Sequence, residues 1–383
     1  MLTRLAILQG LSLAMLGAVF PYLALELQDR QVSGLALTVA MTATPALRLL
    51  LGPAWGLLSD RVNGATWVVM LAAGMALGGC LALLGLPPAL ALLGVLALGI
   101  GRTGSGPLVD GLTLTALKDR ADDYGRVRLW GSVGFLIAAF GAGWGRDKGL
   151  SPLWLGSAAG LGMLVVAASM PKAAAPTGPR RRLLPALLSL GRDPGFLLLL
   201  LASGLHFAGH AVYDSFFSVH IDAQGHDSLW VGVAVILGVG VEVGVLALGP
   251  RLLARFGSHR LLLGAMLLAL PRWVLSAWTD SLPLTIALQA VHGITFGAFW
   301  VAGVSLVQER APKDLRTSGL GLLSAAVGGV GSGLGNLGGS LIVDSGADTH
   351  WLFAFSASMS SLAIVAALAC LRALRAPAVR AQV

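Results

Sequence analysis

Long apolar runs, separated by short polar stretches, organise the whole chain. A helix that crosses a bilayer needs about 20 predominantly apolar residues, and twelve runs answer to that length: 5–25, 35–58, 65–86, 90–114, 127–144, 153–170, 196–219, 230–253, 261–278, 284–307, 320–343 and 351–371. The fifth and sixth are the shortest. The first follows Arg4 in the manner of a secretory leader, but it is too long, and Pro21-Tyr22 is no small-residue cleavage site. It is expected to remain as a span. The pattern therefore predicts an all-α membrane protein of twelve transmembrane helices. Trp55, Trp67, Trp144, Trp154, Trp230, Trp278 and Trp351 fall near span ends and are expected to anchor at the membrane interfaces.

Composition sharpens this. Of 383 residues, 56% are hydrophobic and 11% charged, against about 25% charged in soluble domains. An ordinary soluble enzyme and a disordered chain are both excluded. With neither a compact catalytic set nor a large soluble domain, an enzyme is not expected. The net charge of +8 raises the question of nucleic acid, but no basic patch is interleaved with aromatics, and no nucleic-acid partner is expected. Topology accounts for the charge instead. With the N-terminus inside, twenty of the 26 Lys and Arg residues lie on the cytoplasmic side, while Arg30, Arg146 and Lys148 lie outside and Arg48, Arg102 and Arg272 lie within spans. That asymmetry is the positive-inside signature, and it puts both termini in the cytoplasm. Cys80 and Cys370 sit in apolar runs and form neither a disulfide framework nor a metal spacing.

Between the sixth and seventh runs the chain turns rich in Pro, Ala and Arg, including Arg180-Arg181-Arg182. The expected organisation is an N-terminal six-helix half (1–171), a basic cytoplasmic linker (172–194) and a C-terminal six-helix half (195–383). Repeats agree: Asp119-Arg120-Ala121 with Arg126 recurs 190 residues later as Glu309-Arg310-Ala311 with Arg316, and Gly52-Pro53 recurs after 197 residues as Gly249-Pro250. Paired halves around a midplane site are how many secondary transporters are built.

Gly56-Leu57-Leu58-Ser59-Asp60-Arg61, after the second run, resembles the loop 2–3 signature of the major facilitator superfamily. Asp119-Arg120 with Arg126, and Glu309-Arg310 with Arg316, resemble its loop 4–5 and loop 10–11 charge clusters. The resemblance spans the chain. It implies that Gly56, Asp60, Arg61, Asp119, Arg120, Arg126, Glu309, Arg310 and Arg316 form a conformational gate on the cytoplasmic side. The plainer alternative is that they only set topology, although acidic residues add little to that. A narrower likeness rests on Asp123-Tyr124-Gly125-Arg126-Val127-Arg128-Leu129-Trp130-Gly131-Ser132, His210-Ala211-Val212-Tyr213, Glu242-Val243, Arg272-Trp273 and Gln289, His292 and Thr295-Phe296. Together they are similar to the phenylpropionate permease branch, which is related to lactose permease and the nucleoside–proton symporters. Arg102 departs from that branch.

Charges inside spanning helices are costly and mark candidate functional sites. Glu242 lies in the middle of the eighth run, among Gly238, Gly240 and Gly244. So central a carboxylate cannot snorkel to water and must either pair or exchange protons. Arg272 and His292, on the next two runs, are the expected partners, and the resemblance places all three in proton coupling. Where lactose permease carries a further acidic residue, Thr295 stands here, which puts the weight on Glu242. A static salt bridge is the alternative. His206, His210 and Asp214, spaced four apart, share one helical face flanked by Tyr213 and Phe217. This spacing alone would suit zinc, yet a metal carrier needs more carboxylate or thiolate ligands on neighbouring spans, and a polar, aromatic cavity lining is expected instead. Neither metal nor cofactor is expected. The resemblance aligns Asp110, Arg128 and Phe135 with the sugar site of lactose permease, although Asp110 and Arg128 could equally be an interhelix ion pair. Arg48 and Arg102 suit an organic anion because guanidinium forks match carboxylates. With Gln289, these residues complete the expected substrate site. The Gly-rich stretch from Gly328 to Gly339 is expected to allow close helix approach and bending.

The expectation is thus a proton-coupled symporter of the bacterial inner membrane, monomeric, with substrate, protons and lipid as its only partners. It imports a small organic solute, an aromatic or other carboxylic acid first, a nucleoside or sugar second. Proton-driven efflux of drugs or metabolites uses the same parts and is the competing mode.

Overall fold

The computed structural model describes residues 2–61, 65–117, 124–170, 190–312 and 315–375. Among them are twelve helical rods: α1 Leu2–Asp29, α2 Leu35–Arg61, α3 Ala65–Gly85, α4 Ala91–Leu117, α5 Tyr124–Arg146, α6 Pro152–Ala168, α7 Pro194–Ala223, α8 Leu229–Phe256, α9 Ser258–Ser276, α10 Leu282–Arg310, α11 Arg316–Asp344 and α12 His350–Arg375. Ten of these are long and apolar enough to cross a membrane. Of the other two, α6 has 17 residues, and α9 carries Ser258, His259, Arg260 and Arg272 within its 19. The expected all-α fold of twelve helices is the observed one. Several helices run past their apolar stretches, as α1 (2–29 against 5–25) and α10 (282–310 against 284–307) do at both ends, because polar residues continue the backbone ladder after the hydrophobic stretch stops.

Local signals set several boundaries. The Ser151 side chain accepts from the Leu153 N–H (3.2 Å) at the start of α6, and Asp193 accepts from the N–H groups of Gly195 (2.9 Å) and Phe196 (3.3 Å) at the start of α7. Both are N-caps that satisfy otherwise orphaned donors. After α7 the chain reverses through Gly225 at φ +74°, a left-handed conformation that glycine adopts without steric cost.

The chain divides into two compact units. Unit 1 comprises Met1–Gly178, Asp214–Ile236 and Gly339–Thr349; unit 2 comprises Pro179–Tyr213, Leu237–Gly338 and His350–Val383. In unit 1, α1 packs on α5 and α6, α3 on α4 and α6, and α2 on α4, around a core that includes Leu5, Leu8, Val68, Ala72, Leu112 and Met163. In unit 2, α9 packs on α10 and α12, and the core includes Phe196, Met266, Phe299, Leu306, Ala363 and Cys370.

Small residues let backbones meet, the usual device where lipid supplies no hydrophobic drive. A Cβ on Gly134 of α5 would strike the backbone of Gly10 in α1, one on Gly335 of α11 the backbone of Ala208 in α7, and one on Gly293 of α10 the backbone of Gly238 in α8. At the start of the Gly-rich stretch of α11, Ala326–Gly331 forms a π-helical turn, a type of irregularity at which helices can deflect.

One expectation needs correction. Trp55 is not an interface anchor: it is 7% exposed, and its indole N–H donates to Thr103 Oγ1 (3.0 Å) and the Ile100 carbonyl (3.2 Å). Position 55 lies near the end of the apolar run, but α2 turns that face onto α4. Trp67, Trp144, Trp154, Trp230, Trp278 and Trp351 are all exposed, as anchors require.

Candidate functional site

In unit 2, α7, α9 and α10 bring aromatic and basic side chains into one buried cluster. His206 and His210 are fully buried, one turn apart on α7, with ring centroids 4.4 Å apart. His292 of α10 lies 5.2 Å from His210 and 4.8 Å from Tyr213. Phe299 closes the far side at 4.9 Å from His206, and Phe296 stacks on His292. The Arg272 guanidinium, 1% exposed, stands 3.8 Å from the Trp273 ring centroid and 4.8 Å from that of Tyr213. It donates to Gln289 Oε1 (2.9 Å) and to the Leu288 carbonyl (3.2 Å). The Gln289 amide is itself fixed, because its Nε2 donates to the Thr285 carbonyl at 2.7 Å.

Hydrogen-bond accounting singles this cluster out. His210 Nδ1 meets the His206 carbonyl at 3.1 Å; since that oxygen only accepts, Nδ1 carries the proton. Both ring nitrogens of His206, Nε2 of His210, Nδ1 of His292 and Nε1 of Trp273 have no hydrogen-bond partner among the described residues. Buried polar groups are nearly always paired. A wall of unpaired donors and acceptors, backed by aromatic faces, is suited to receiving a polar guest.

Glu242 is half-buried on α8, where that helix crosses α10 so closely that a Cβ on Gly293 would meet the Glu242 backbone nitrogen. Among the described residues its carboxylate makes neither hydrogen bond nor ion pair, and the structure does not pair it with Arg272 or His292. Asp214 follows Tyr213 on α7 and is half-buried; Phe217 is buried and lies 6.5 Å from His220.

In unit 1, Arg128 of α5 and Asp110 of α4 approach to 3.8 Å. Gln9 of α1 donates to Asp110 at 2.7 Å and reaches Thr113 at 3.4 Å, and Tyr124 stands near both Asp110 and Arg128. Phe135 is half-buried, and its carbonyl abuts Gly17 of α1. Higher on α4, the Arg102 guanidinium rests 4.7 Å from the Phe20 ring centroid. Arg48 of α2 is exposed and near enough for the two like charges to repel. No carboxylate neutralises either among the described residues.

The gate residues are partly visible. Gly56, Asp60 and Arg61 lie on the last turns of α2, but their side chains fall outside the described residues, as do Asp119 and Arg120 entirely. Arg126 is exposed at the head of α5, and Arg316 begins α11. Glu309 accepts from Ser258 (3.0 Å) and Ser305 (2.9 Å), and Arg310 pairs with Asp193 at 3.3 Å. No set of three or more His, Cys, Asp or Glu among the described residues could hold a metal ion.

Sequence reasoning overlooked Gln9, Phe20, Tyr124 and Phe299 as members of these clusters. Gln9 carried a signal, being an amide inside an apolar run. The aromatics carried none, since a ring in a membrane helix looks like any other apolar residue.

Comparisons with known proteins agree on the family. The MFS_1 like family matches residues 2–355. A maltose permease of Geobacillus stearothermophilus is 30% identical over 331 residues, covering 83% of this chain and 81% of the relative. A probable 3-phenylpropionic acid transporter of Escherichia coli (strain K12) is 31% identical over 219 residues, 55% of this chain and 56% of the relative. Among solved structures, a point mutant of the nucleoside transporter NupG superimposes with a TM-score of 0.86 at 16% identity, covering 96% of this chain and 99% of that one.

Proposed function

Because this chain belongs to the MFS_1 like family of major facilitator transporters, we propose that it is a proton-coupled symporter importing a small organic anion, an aromatic or other carboxylic acid. That it is a multi-pass secondary transporter of a small organic solute follows from family membership. The finer reading rests on one observation: Arg102 has no neutralising carboxylate among the described residues, and the like charge of Arg48 lies near enough to repel it. An uncompensated charge on a membrane helix is costly, and an incoming carboxylate relieves that cost. Arg102 meanwhile rests on Phe20. A cation–π contact is worth about 0.5–2 kcal/mol, weak enough for a bidentate carboxylate to displace. Arg272 with the histidine–aromatic wall offers a second surface for a ring. The similarity to a probable 3-phenylpropionic acid transporter supports the same chemistry.

Protonation and substrate load are linked in this reading through Glu242, Arg272 and His292, with Glu242 as the carboxylate that takes the proton. Both termini lie in the cytoplasm, the protein works as a monomer of the inner membrane, and two six-helix halves rock about the site. The residues Gly56, Asp60, Arg61, Asp119, Arg120, Arg126, Glu309, Arg310 and Arg316 gate the cytoplasmic side.

A second reading has its own observation. Gln9, Asp110, Tyr124 and Arg128 form a polar set suited to hydroxyl groups, and the maltose permease relative points the same way. Proteoliposomes given 3-phenylpropionate, maltose or uridine, with and without an inward proton gradient, separate the two. Proton-driven uptake of the acid is expected. Arg102→Ala should reduce it by about tenfold or more, since a charge-assisted hydrogen bond contributes about 1.5–3 kcal/mol. Accumulation of maltose with no uptake of the acid would replace the first reading with the second. Expulsion of preloaded solute by an inward proton gradient would mean antiport.

A further inference from the structure

Two carboxylates of unit 1 each bind the start of a helix far away in sequence. Asp147, immediately after α5, accepts from the backbone N–H of Ser228 (Oδ1, 2.8 Å) and of Leu229 (Oδ2, 2.9 Å), where α8 begins. Asp344, the last residue of α11, accepts from the backbone N–H of Gly34 (Oδ1, 2.9 Å) and from Thr38 Oγ1 (Oδ2, 3.0 Å), where α2 begins. All these residues belong to unit 1.

The two arrangements are related by the six-helix repeat. Adding six converts α5 into α11 and α2 into α8, so each carboxylate sits at the end of the fifth helix of one set and caps the second helix of the other. Helix starts expose four unsatisfied N–H groups and a positive dipole end; ordinarily a residue of the same helix caps them. Here the cap comes from the other six-helix set, so it joins what alternating access must separate. Asp147 is also held in place. The preceding residue, Arg146, reaches Asp29 at 2.5 Å and Glu26 at 3.8 Å, fixing the end of α5 against α1. Close packing accompanies the cap, since a Cβ on Gly143 would fall 2.5 Å from the Ser228 carbonyl oxygen.

We propose that Asp147 and Asp344 are paired latches that hold one end of the transporter shut, and that each transport cycle must break both. They are positioning residues: neither touches the proposed substrate groups, and they act through the helix starts they grip. With the termini cytoplasmic, the end they close is the outer one. The inference needs only the family's alternating access and is independent of which solute is carried.

The test uses the full chain in nanodiscs without solute, so its failure is separable from failure of the substrate reading. Spin-label distances are measured between exposed positions Ser33 and Ala347 and between Lys148 and Ala223. In the parent one short population is expected for each pair. Replacing Asp147 or Asp344 by Ala should raise the ratio of open to closed by about tenfold per carboxylate, the scale of a lost helix cap, and the double variant should open further than either single. Asp147→Asn and Asp344→Asn keep one acceptor oxygen and should fall between, an ordering that a general loss of packing would not produce. An unchanged distance distribution in a monodisperse double variant overturns the proposal. If the alanine forms do not insert, the asparagine pair is read alone, and an unchanged ratio there overturns it equally.

Discussion

Arg272 spends its donors on the Gln289 amide oxygen and the Leu288 carbonyl and its faces on Trp273 and Tyr213. Glu242, the partner that the sequence suggested for Arg272, is not among these contacts. Glu242, in turn, meets no donor among the described residues, a state that a half-buried carboxylate tolerates at a cost that pairing or a proton relieves. The residue types were legible from sequence because any charge within an apolar run stands out. Their partners were not, because Gln9, Phe20 and Phe299 matter through position, and position comes from helix rotation and crossing. If Glu242 carries the coupling proton, Glu242→Gln fixes the protonated form. Exchange of labelled solute between equal concentrations should then stay within about twofold of the parent, while accumulation against a gradient is lost. Uphill accumulation by the variant would remove Glu242 from that role and pass it to His292 or Asp214.

At the level of elements, the apolar runs located every rod, since a span must be long and apolar whatever its neighbours. What the runs did not reveal is how rods cross. In both six-helix sets the fifth helix meets the first through a glycine: Gly134 of α5 against Gly10 of α1, and Gly335 of α11 against Ala208 of α7. Neither neighbour can yield, because the atoms met are backbone. Gly134→Val should therefore destabilise the protein by about 1–3 kcal/mol, the usual cost of overpacking, seen as a lower unfolding temperature in detergent. Gly78→Ala is the matched control, since its Cβ would enter open space within α3, and it should leave that temperature unchanged or slightly higher. Equal losses in both variants would mean that glycine content, rather than these crossings, governs stability. The π turn at Ala326–Gly331 was legible only as flexibility in the glycine-rich stretch, because the sequence does not say where a bulge is placed.

For the whole molecule, orientation rests on parity. If all twelve helices span, the chain returns to its starting side, and the excess of Lys and Arg expected on that side would make it the cytoplasm. The two rods that fall short of the length and apolarity of the others, α6 and α9, lie in different halves of the sequence, so each can be tested separately. A reporter fused after Arg182 follows six helices, and one fused after Arg380 follows all twelve; both should give a cytoplasmic signal. Were α6 alone to lie in the interface, both reporters would become periplasmic; were α9 alone to do so, only the second would. Were both to fail, the first alone would be periplasmic. The NupG superposition, which covers 96% of this chain, shows the same fold. For α9 an internal feature favours the cytoplasmic outcome at Arg380: Arg272 and Trp273, deep in its last two turns, are fully buried against α7 and α10, which suits a helix packed within the bundle.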